Sequence, residues 1–118
     1  MSTRKSLIRR SFEVTSESMN DGTSRAIIEG DILYLDEIPR ADWLKVLSTA
    51  TNKVFVIDAI EWLDVVEVVE HDIETGRIKC HCWNPEPEYE DLELLLNDVR
   101  RLLKVTTINR FWNDTRSN

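Results

Sequence analysis

The sequence predicts an α+β fold, an antiparallel β-sheet built from hairpins with two α-helices packed on one face. Short β-prone segments bounded by turn residues alternate apolar and polar side chains, which is typical of half-buried strands. The segment from Glu88 to Lys104 instead repeats its apolar residues every three or four positions, which is typical of an amphipathic helix. A chain of 118 residues is long enough for one such core.

The first predicted hairpin turns at Gly30 and Asp31, between the runs RAIIE and ILYLDEI. Glycine in the first central position suits a two-residue turn. In that register Arg25 lies opposite Asp36, so that opposite charges pair across the strands. A separate strand is predicted at residues 11–17, where apolar and polar residues alternate.

The second predicted hairpin turns through the sequence IETG, with Gly76 in the left-handed conformation. This register pairs Asp72 with Arg77 and, two residues on, Glu70 with Lys79. The preceding run VFVI indicates a buried strand that ends at Asp58. Acidic residues at every third position of 58–71 leave a helix open as an alternative for this range.

Two helices are predicted. The first follows Pro39, which suits a first turn, and aligns Leu44, Leu47 and Ala50 on one side. The second runs from about Glu88 to Lys104, with acids in its first turns and basic residues near its end, as the helix dipole favours. Leu94 falls opposite the apolar stripe of that helix and is expected to be exposed.

Three regions are expected along the chain: a basic flexible arm at 1–10, a single domain at 11–105 and a tail at 106–118. The sequence contains no apolar run of transmembrane length and no secretory h-region near Met1. We therefore expect a small soluble cytoplasmic protein without a membrane partner. The basic arm leaves an organelle-targeting segment open as an alternative.

Acidic charge is concentrated in one stretch of the chain. The formal net charge is −7, and residues 58–98 contain 13 acidic residues against only Arg77 and Lys79. A field of this sign repels phosphate backbones and attracts basic surfaces. Nucleic acid is therefore an unlikely ligand, and a protein with a basic surface is the expected partner.

Signals for catalysis and metal binding are weak. In KCHCW, Cys80 and Cys82 are separated by one residue, and a strand would point His81 away from both thiols. They are expected to be reduced, unligated thiols, with no metal and no cofactor. Asp58, at the end of a strand, resembles a magnesium-binding carboxylate, although an Asp that caps the next turn is the simpler interpretation. Whether the protein is an enzyme stays open, with the balance against it.

The function expected from the sequence is a non-catalytic acidic protein-binding module, such as an inhibitor, an immunity-type protein or an adaptor, which docks on a basic protein surface and possesses charge that could mimic nucleic acid. The alternative is a small metal-dependent nuclease or hydrolase that uses Asp58 or the strand with Cys80 and Cys82. A homodimer through Leu94 is a further expectation. The candidate partner-binding residues are Glu86, Glu88, Glu90, Glu93, Leu94, Arg101, Phe111 and Trp112.

Overall fold

The computed structural model describes residues 8–110, which form a seven-stranded antiparallel sheet and one short α-helix. The strands are β1 (Ile8–Glu13), β2 (Ile32–Ile38), β3 (Val54–Ala59), β4 (Leu63–Asp72), β5 (Arg77–His81), β6 (Leu92–Leu95) and β7 (Val99–Asn109), and the helix is α1 (Trp43–Thr49). Short 3₁₀ turns at Arg40–Asp42 and Leu96–Asp98 precede α1 and β7. The strand order is β1-β2-β7-β3-β4-β5-β6.

Both faces of the sheet are covered, which creates two cores. The helix-side core lies under α1 and includes Trp43, Leu47 and Phe55. The loop-side core lies under residues 14–31, which connect β1 to β2 and bury Met19 against the opposite face. Because β3 separates the two cores, its side chains are buried at both parities, and VFVI is a buried strand as the sequence predicts.

The predicted helix from Glu88 to Lys104 is wrong, and so is the prediction of two helices on one face of the sheet. This segment forms β6, a 3₁₀ turn and β7. Strand β7 lies between β2 and β3, with Leu102 in the helix-side core and Leu103 in the loop-side core. A bulge opposite Asp58 inserts Arg100 as an extra residue. Because β7 buries side chains on both faces of the sheet and also contains this bulge, its apolar residues do not alternate strictly. Their spacing therefore resembles that of an amphipathic helix.

The first predicted hairpin is also wrong, because no strand forms at residues 25–29. Strand β2 pairs with β1 and β7 instead, and Asp36 lies opposite Arg9, with 2.9 Å between Arg9 Nε and Asp36 Oδ1. The guanidinium of Arg25 stacks over the Trp83 ring at 3.9 Å. Gly30 keeps the left-handed backbone, with φ of +96°. Asp31 donates its N–H to the carbonyl of Ile28 at 3.0 Å, so Gly30 lies in the second central position of a turn and not in the predicted first position. Both the exact turn and the pairing partner of β2 therefore differ from the prediction.

The second hairpin is confirmed near its turn and shifted farther from it. Asp72 pairs with Arg77, Glu70 pairs with Lys79, and Gly76 has φ of +73°. A bulge at Val69 then moves the register by one residue. Within the range left open at 58–71, residues 58–59 end β3, residues 60–62 connect the strands and residues 63–71 belong to β4, so the helical alternative is excluded.

Helix α1 forms where the sequence predicts a short helix, but with a different buried side. Trp43 and Leu47 face the core, whereas Leu44 is half exposed. Trp43 also donates a 2.8 Å hydrogen bond from Nε1 to the carbonyl of Ile38. Trp43 rather than Leu44 faces the core, because the indole buries more apolar area and its N–H finds an acceptor.

The loop over residues 14–31 is anchored to the end of β7 by a buried carboxylate. Asp31 is fully buried and accepts hydrogen bonds from Arg110 Nε at 2.7 Å and Arg110 Nη2 at 2.8 Å. Its second oxygen also accepts from the main-chain N–H of Ile28 at 2.9 Å. Arg110 further donates to the carbonyl of Ala26 at 2.9 Å. These bonds offset the cost of burying the charge and close the loop onto the sheet.

Two further observations concern the chain as a whole. In the part of the chain from 8 to 110, no helix is long and apolar enough to cross a bilayer. Strand β1 begins at Ile8 and β7 continues to Asn109, so the sheet includes residues on both sides of the range 11–105. Residues 1–7 of the predicted arm and residues 111–118 of the predicted tail lie outside the described residues.

Asp31→Asn is expected to lower the free energy of unfolding by about 2 to 3 kcal/mol, because the substitution removes the buried negative charge that accepts two hydrogen bonds from Arg110. Urea unfolding followed by circular dichroism measures the change. Glu93→Gln is the control, since the ion pair between Glu93 and Arg77 is half exposed on both sides. Equal stability of the two variants would contradict a structural role for the buried pair.

The two thiols are expected to resist alkylation in the folded protein. Cys80 is fully buried in the helix-side core, and this burial raises the pKa of its thiol to about 12. Because the thiolate is the reactive form, iodoacetamide at pH 8 should modify the folded protein at least tenfold more slowly than the unfolded protein, where about two thiols should react. Mass spectrometry measures the extent of modification over time. Equally rapid modification of the folded and unfolded proteins would place a thiol at the surface and contradict this prediction.

Candidate functional site

Two adjacent cavities share one wall, the side chain of Trp62. The first has a volume of about 290 Å³ and lies between residues 59–62 and the segment that includes Glu93, Leu94 and Asp98. The second has a volume of about 250 Å³ and lies between Trp62, the strand residues that follow it, and the loop residues 88–90. We call the two cavities together the Trp62 groove. Their positions make it a cleft between the β3–β4 turn and the edge of the sheet formed by β6.

The β3–β4 turn places Trp62 in this position. Ala59 donates a main-chain hydrogen bond to the carbonyl of Trp62 at 2.8 Å, which closes a short turn after β3. Ile60 then donates its N–H to the carbonyl of Asp98 at 3.0 Å, which ties the turn to the start of β7. Trp62 packs against the helix-side core but stays partly exposed, and Ile60 and Leu63 are 52% and 47% exposed. The turn therefore presents three large apolar side chains at one end of the sheet.

The floor of the second cavity is a hydrogen-bonded cluster around Asp64. The hydroxyls of Ser16 and Ser18 donate to Asp64 Oδ2 at 3.0 and 3.3 Å. The main-chain N–H of Val65 donates to Asp64 Oδ1 at 2.8 Å. Three donors satisfy the oxygens of one carboxylate and join the loop over residues 14–31 to β4.

The opposite wall is the segment that leads from β5 to β6. Asn84 holds this segment to the loop-side connection, because its Nδ2 donates to the carbonyl of Glu17 at 2.8 Å. His81 Nδ1 lies 2.6 Å from Asp91 Oδ1, which fixes the segment just before β6. Between these two contacts Tyr89 packs against the helix-side core and faces the second cavity.

Two titratable groups that line the groove have raised pKa values, mainly because they are desolvated and secondarily because carboxylates lie nearby. Burial and then the carboxylate of Glu88 raise the pKa of the Tyr89 phenol, with smaller contributions from Glu17 and Asp64. Burial and then Asp64 also raise the pKa of the Cys82 thiol. Both shifts disfavour an additional negative charge, and Asp64 contributes to both.

Carboxylates are the only charged groups that line the groove within residues 8–110. Glu61, Glu93 and Asp98 line the first cavity, and Asp64, Glu88 and Glu90 line the second. Apolar side chains form most of the remaining walls, including Trp62, Leu63, Val66, Tyr89, Leu92 and Leu94. The arrangement can hold a cation against an aromatic face and an apolar side chain beside it.

The structure brings four of the candidate residues from the sequence together at this groove: Glu88, Glu90, Glu93 and Leu94. Leu94 lies in β6 and packs against the helix-side core, so the expected exposed helix position does not exist, and its neighbour Leu95 is the more exposed leucine. Phe111 and Trp112 lie outside the described residues.

Glu86 and Arg101 lie elsewhere. Glu86 is exposed in the segment before β6, where its N–H donates to Asn84 Oδ1 at 3.0 Å. Arg101 is in β7 and donates from Nε to Asp58 Oδ2 at 2.8 Å. Neither residue lines the two cavities that share Trp62.

The residues proposed for the alternative metal-dependent function are Asp58, Cys80 and Cys82, and each is engaged in an ion pair or buried in a core. The carboxylate of Asp58 is engaged by Arg101, with only 17% of its side chain exposed, and Cys80 and Cys82 are both free and buried. Within residues 8–110, no three His, Cys, Asp or Glu side chains are grouped so that they could hold a metal ion.

Trp62 and Tyr89 are the site residues that sequence reasoning missed. The available signal was the run Ile60-Glu61-Trp62-Leu63, which places three large apolar residues where β3 turns into β4. Turns usually contain small or polar residues. Large apolar side chains at such a position indicate a surface that contacts another element or a partner.

Comparisons of the chain with protein-family models, with curated proteins and with solved structures found no match.

Proposed function

We propose that this chain is a non-catalytic protein-binding module that holds a basic segment of another protein in the Trp62 groove. One observation carries the proposal: among residues 8–110, six carboxylates and no cation line two adjacent cavities that meet at a partly exposed tryptophan. A ligand that fits must supply positive charge to the carboxylates and apolar area to Trp62 and its neighbours.

An arginine side chain meets both requirements. Its planar guanidinium can stack on an indole face while its N–H groups bond to carboxylates, and the chain itself already contains an arginine stacked on tryptophan at Arg25 and Trp83. In the Trp62 groove, Glu61 and Glu93 line the same cavity as the indole. This combination favours arginine over lysine, which offers only a point charge.

The apolar walls of the groove favour a ligand segment that contains apolar residues as well as arginine. The second cavity is lined by Val66, Tyr89 and Leu92 as well as by acids. Exposed ion pairs contribute only about 0.2 to 1 kcal/mol each, so charge alone gives weak binding. Burial of one leucine or similar side chain adds about 1.5 to 3 kcal/mol. The expected ligand therefore alternates basic and apolar residues.

A fluorescein-labelled heptapeptide Gly-Arg-Leu-Arg-Leu-Arg-Gly is expected to bind the full chain, whereas Gly-Glu-Leu-Glu-Leu-Glu-Gly is not, because only the first supplies cations to the groove. Fluorescence anisotropy measures both affinities. Raising NaCl from about 50 mM to about 300 mM should weaken binding of the first peptide by about tenfold, since the charges are partly exposed. Equal binding of the two peptides, or affinity independent of salt, would refute the proposal.

Changing Glu61, Glu88 and Glu90 together to Gln should weaken binding of the Arg-containing peptide by about 5- to 20-fold, because three carboxylates that line the groove are removed. The matched control changes Glu13, Glu29 and Glu74 to Gln. These three residues are exposed and lie outside both cavities, so net charge changes equally while the groove is intact. An equal loss of affinity in both variants would indicate attraction by net charge rather than a site.

Self-association stays a separate prediction. Light scattering at the concentrations used for peptide binding measures the mass of the protein directly. The same experiment on the peptide complex separates a ligand that binds one chain from a ligand that joins two chains.

A further inference from the structure

Strand β6 forms one edge of the sheet and also one wall of the Trp62 groove. Among residues 8–110, β6 pairs with β5 alone and comes last in the strand order. Leu92 lines the second cavity, and Glu93 and Leu94 line the first. An edge strand offers unpaired main-chain N–H and C=O groups to any extended chain that lies beside it. The groove therefore contains main-chain partners in addition to carboxylates and apolar side chains.

The pairing of β6 with β5 determines which main-chain groups face outward. Leu96 donates its N–H to the carbonyl of Gly76 at 2.8 Å, which is the continuation of this ladder. In an antiparallel pair, such bonds are made by alternate residues. Counting back from Leu96, Leu94 bonds to β5, whereas the N–H and C=O groups of Glu93 and Leu95 point away from β5. The outer edge thus presents two residues at the spacing of a strand.

The side chains around this edge suit an extended segment. In an added strand, alternate side chains point to opposite faces. Side chains on one face would meet Trp62 and the carboxylates of Glu61 and Asp98, which line the cavity beside β6. Four residues of strand span about 13 Å, which is the length of β6, and β6 lines both cavities.

We infer that the basic segment binds as an additional β-strand on the outer edge of β6, with its main chain hydrogen-bonded to Glu93 and Leu95. The inference rests on the proposed function, because it specifies how the same groove recognises its ligand. Main-chain bonds of this kind provide affinity that depends on shape, while the carboxylates select the basic side chains. The partner class is an extended protein segment in which Arg alternates with apolar residues.

Leu95→Pro tests the main-chain contact. Proline removes the outward N–H of Leu95 without removing a bond to β5, and Leu95 already has φ of −90°, not far from the proline value of about −65°. Leu95→Ala is the matched control, because it shortens the same side chain and keeps the N–H. Binding of Gly-Arg-Leu-Arg-Leu-Arg-Gly should weaken at least tenfold in the proline variant and less than threefold in the alanine variant. Equal affinity of the two variants would overturn strand addition.

A second measurement uses the unaltered protein, so that it holds even where the proline variant is poorly folded. One peptide carries N-methyl groups on its three Arg residues and another carries them on its two Leu residues. An added strand points only one of these sets of N–H groups toward β6. One methylated peptide should therefore lose at least tenfold in affinity while the other stays within threefold of the parent. Equal affinity of the two methylated peptides, high or low, would overturn the inference.

The two levels of the hypothesis fail in different ways. Binding of the Arg peptide over the Glu peptide without any dependence on the outward main chain supports the proposed function and rejects strand addition. Failure of the unaltered protein to prefer the Arg peptide rejects both.

Discussion

Strand β7 must satisfy two cores at once, and the rest of the structure depends on this constraint. It is the strand that joins β1 and β2 to β3 and the strands beyond it. Two consecutive residues of β7, Leu102 and Leu103, enter opposite cores. Each such side chain stabilises the fold by about 1.5 to 3 kcal/mol through burial. Removing β7 would separate the sheet into two parts, each with an open edge and an uncovered face.

The groove is a consequence of how the chain enters this central strand. The short β6 and the 3₁₀ turn at Leu96–Asp98 bring the chain from the far edge of the sheet back to its middle. Asp98 accepts a hydrogen bond from Ile60 at the end of this path, so the β3–β4 turn and the start of β7 are held together. The first cavity of the Trp62 groove lies between this contact and β6. The acidic residues of two distant parts of the sequence then meet there.

On the opposite face, the long connection between β1 and β2 replaces a layer of secondary structure. It buries Met19 and Ile27 without forming a strand or helix, which requires that its polar groups find partners. Asp31 with Arg110, and Asp64 with the two serines, supply these partners at its two ends. The second of these contacts also forms the floor of the groove. The folding of this loop and the acidity of the site therefore share one residue.

The sequence by itself determined the local features, namely the left-handed Gly76, the turn at Asp72–Arg77, the buried strand VFVI, the short helix after Pro39 and the acidity of residues 58–98. These depend on backbone sterics and nearby side chains, which a single sequence contains. Only the tertiary structure decided that Leu102 and Leu103 lie in a strand, and that Trp62 and Glu93 line the same cavity. An apolar residue at every third or fourth position satisfies a helix with one buried side as well as a bulged strand with two. The choice between them is made by the neighbouring strands, whose positions no local pattern records.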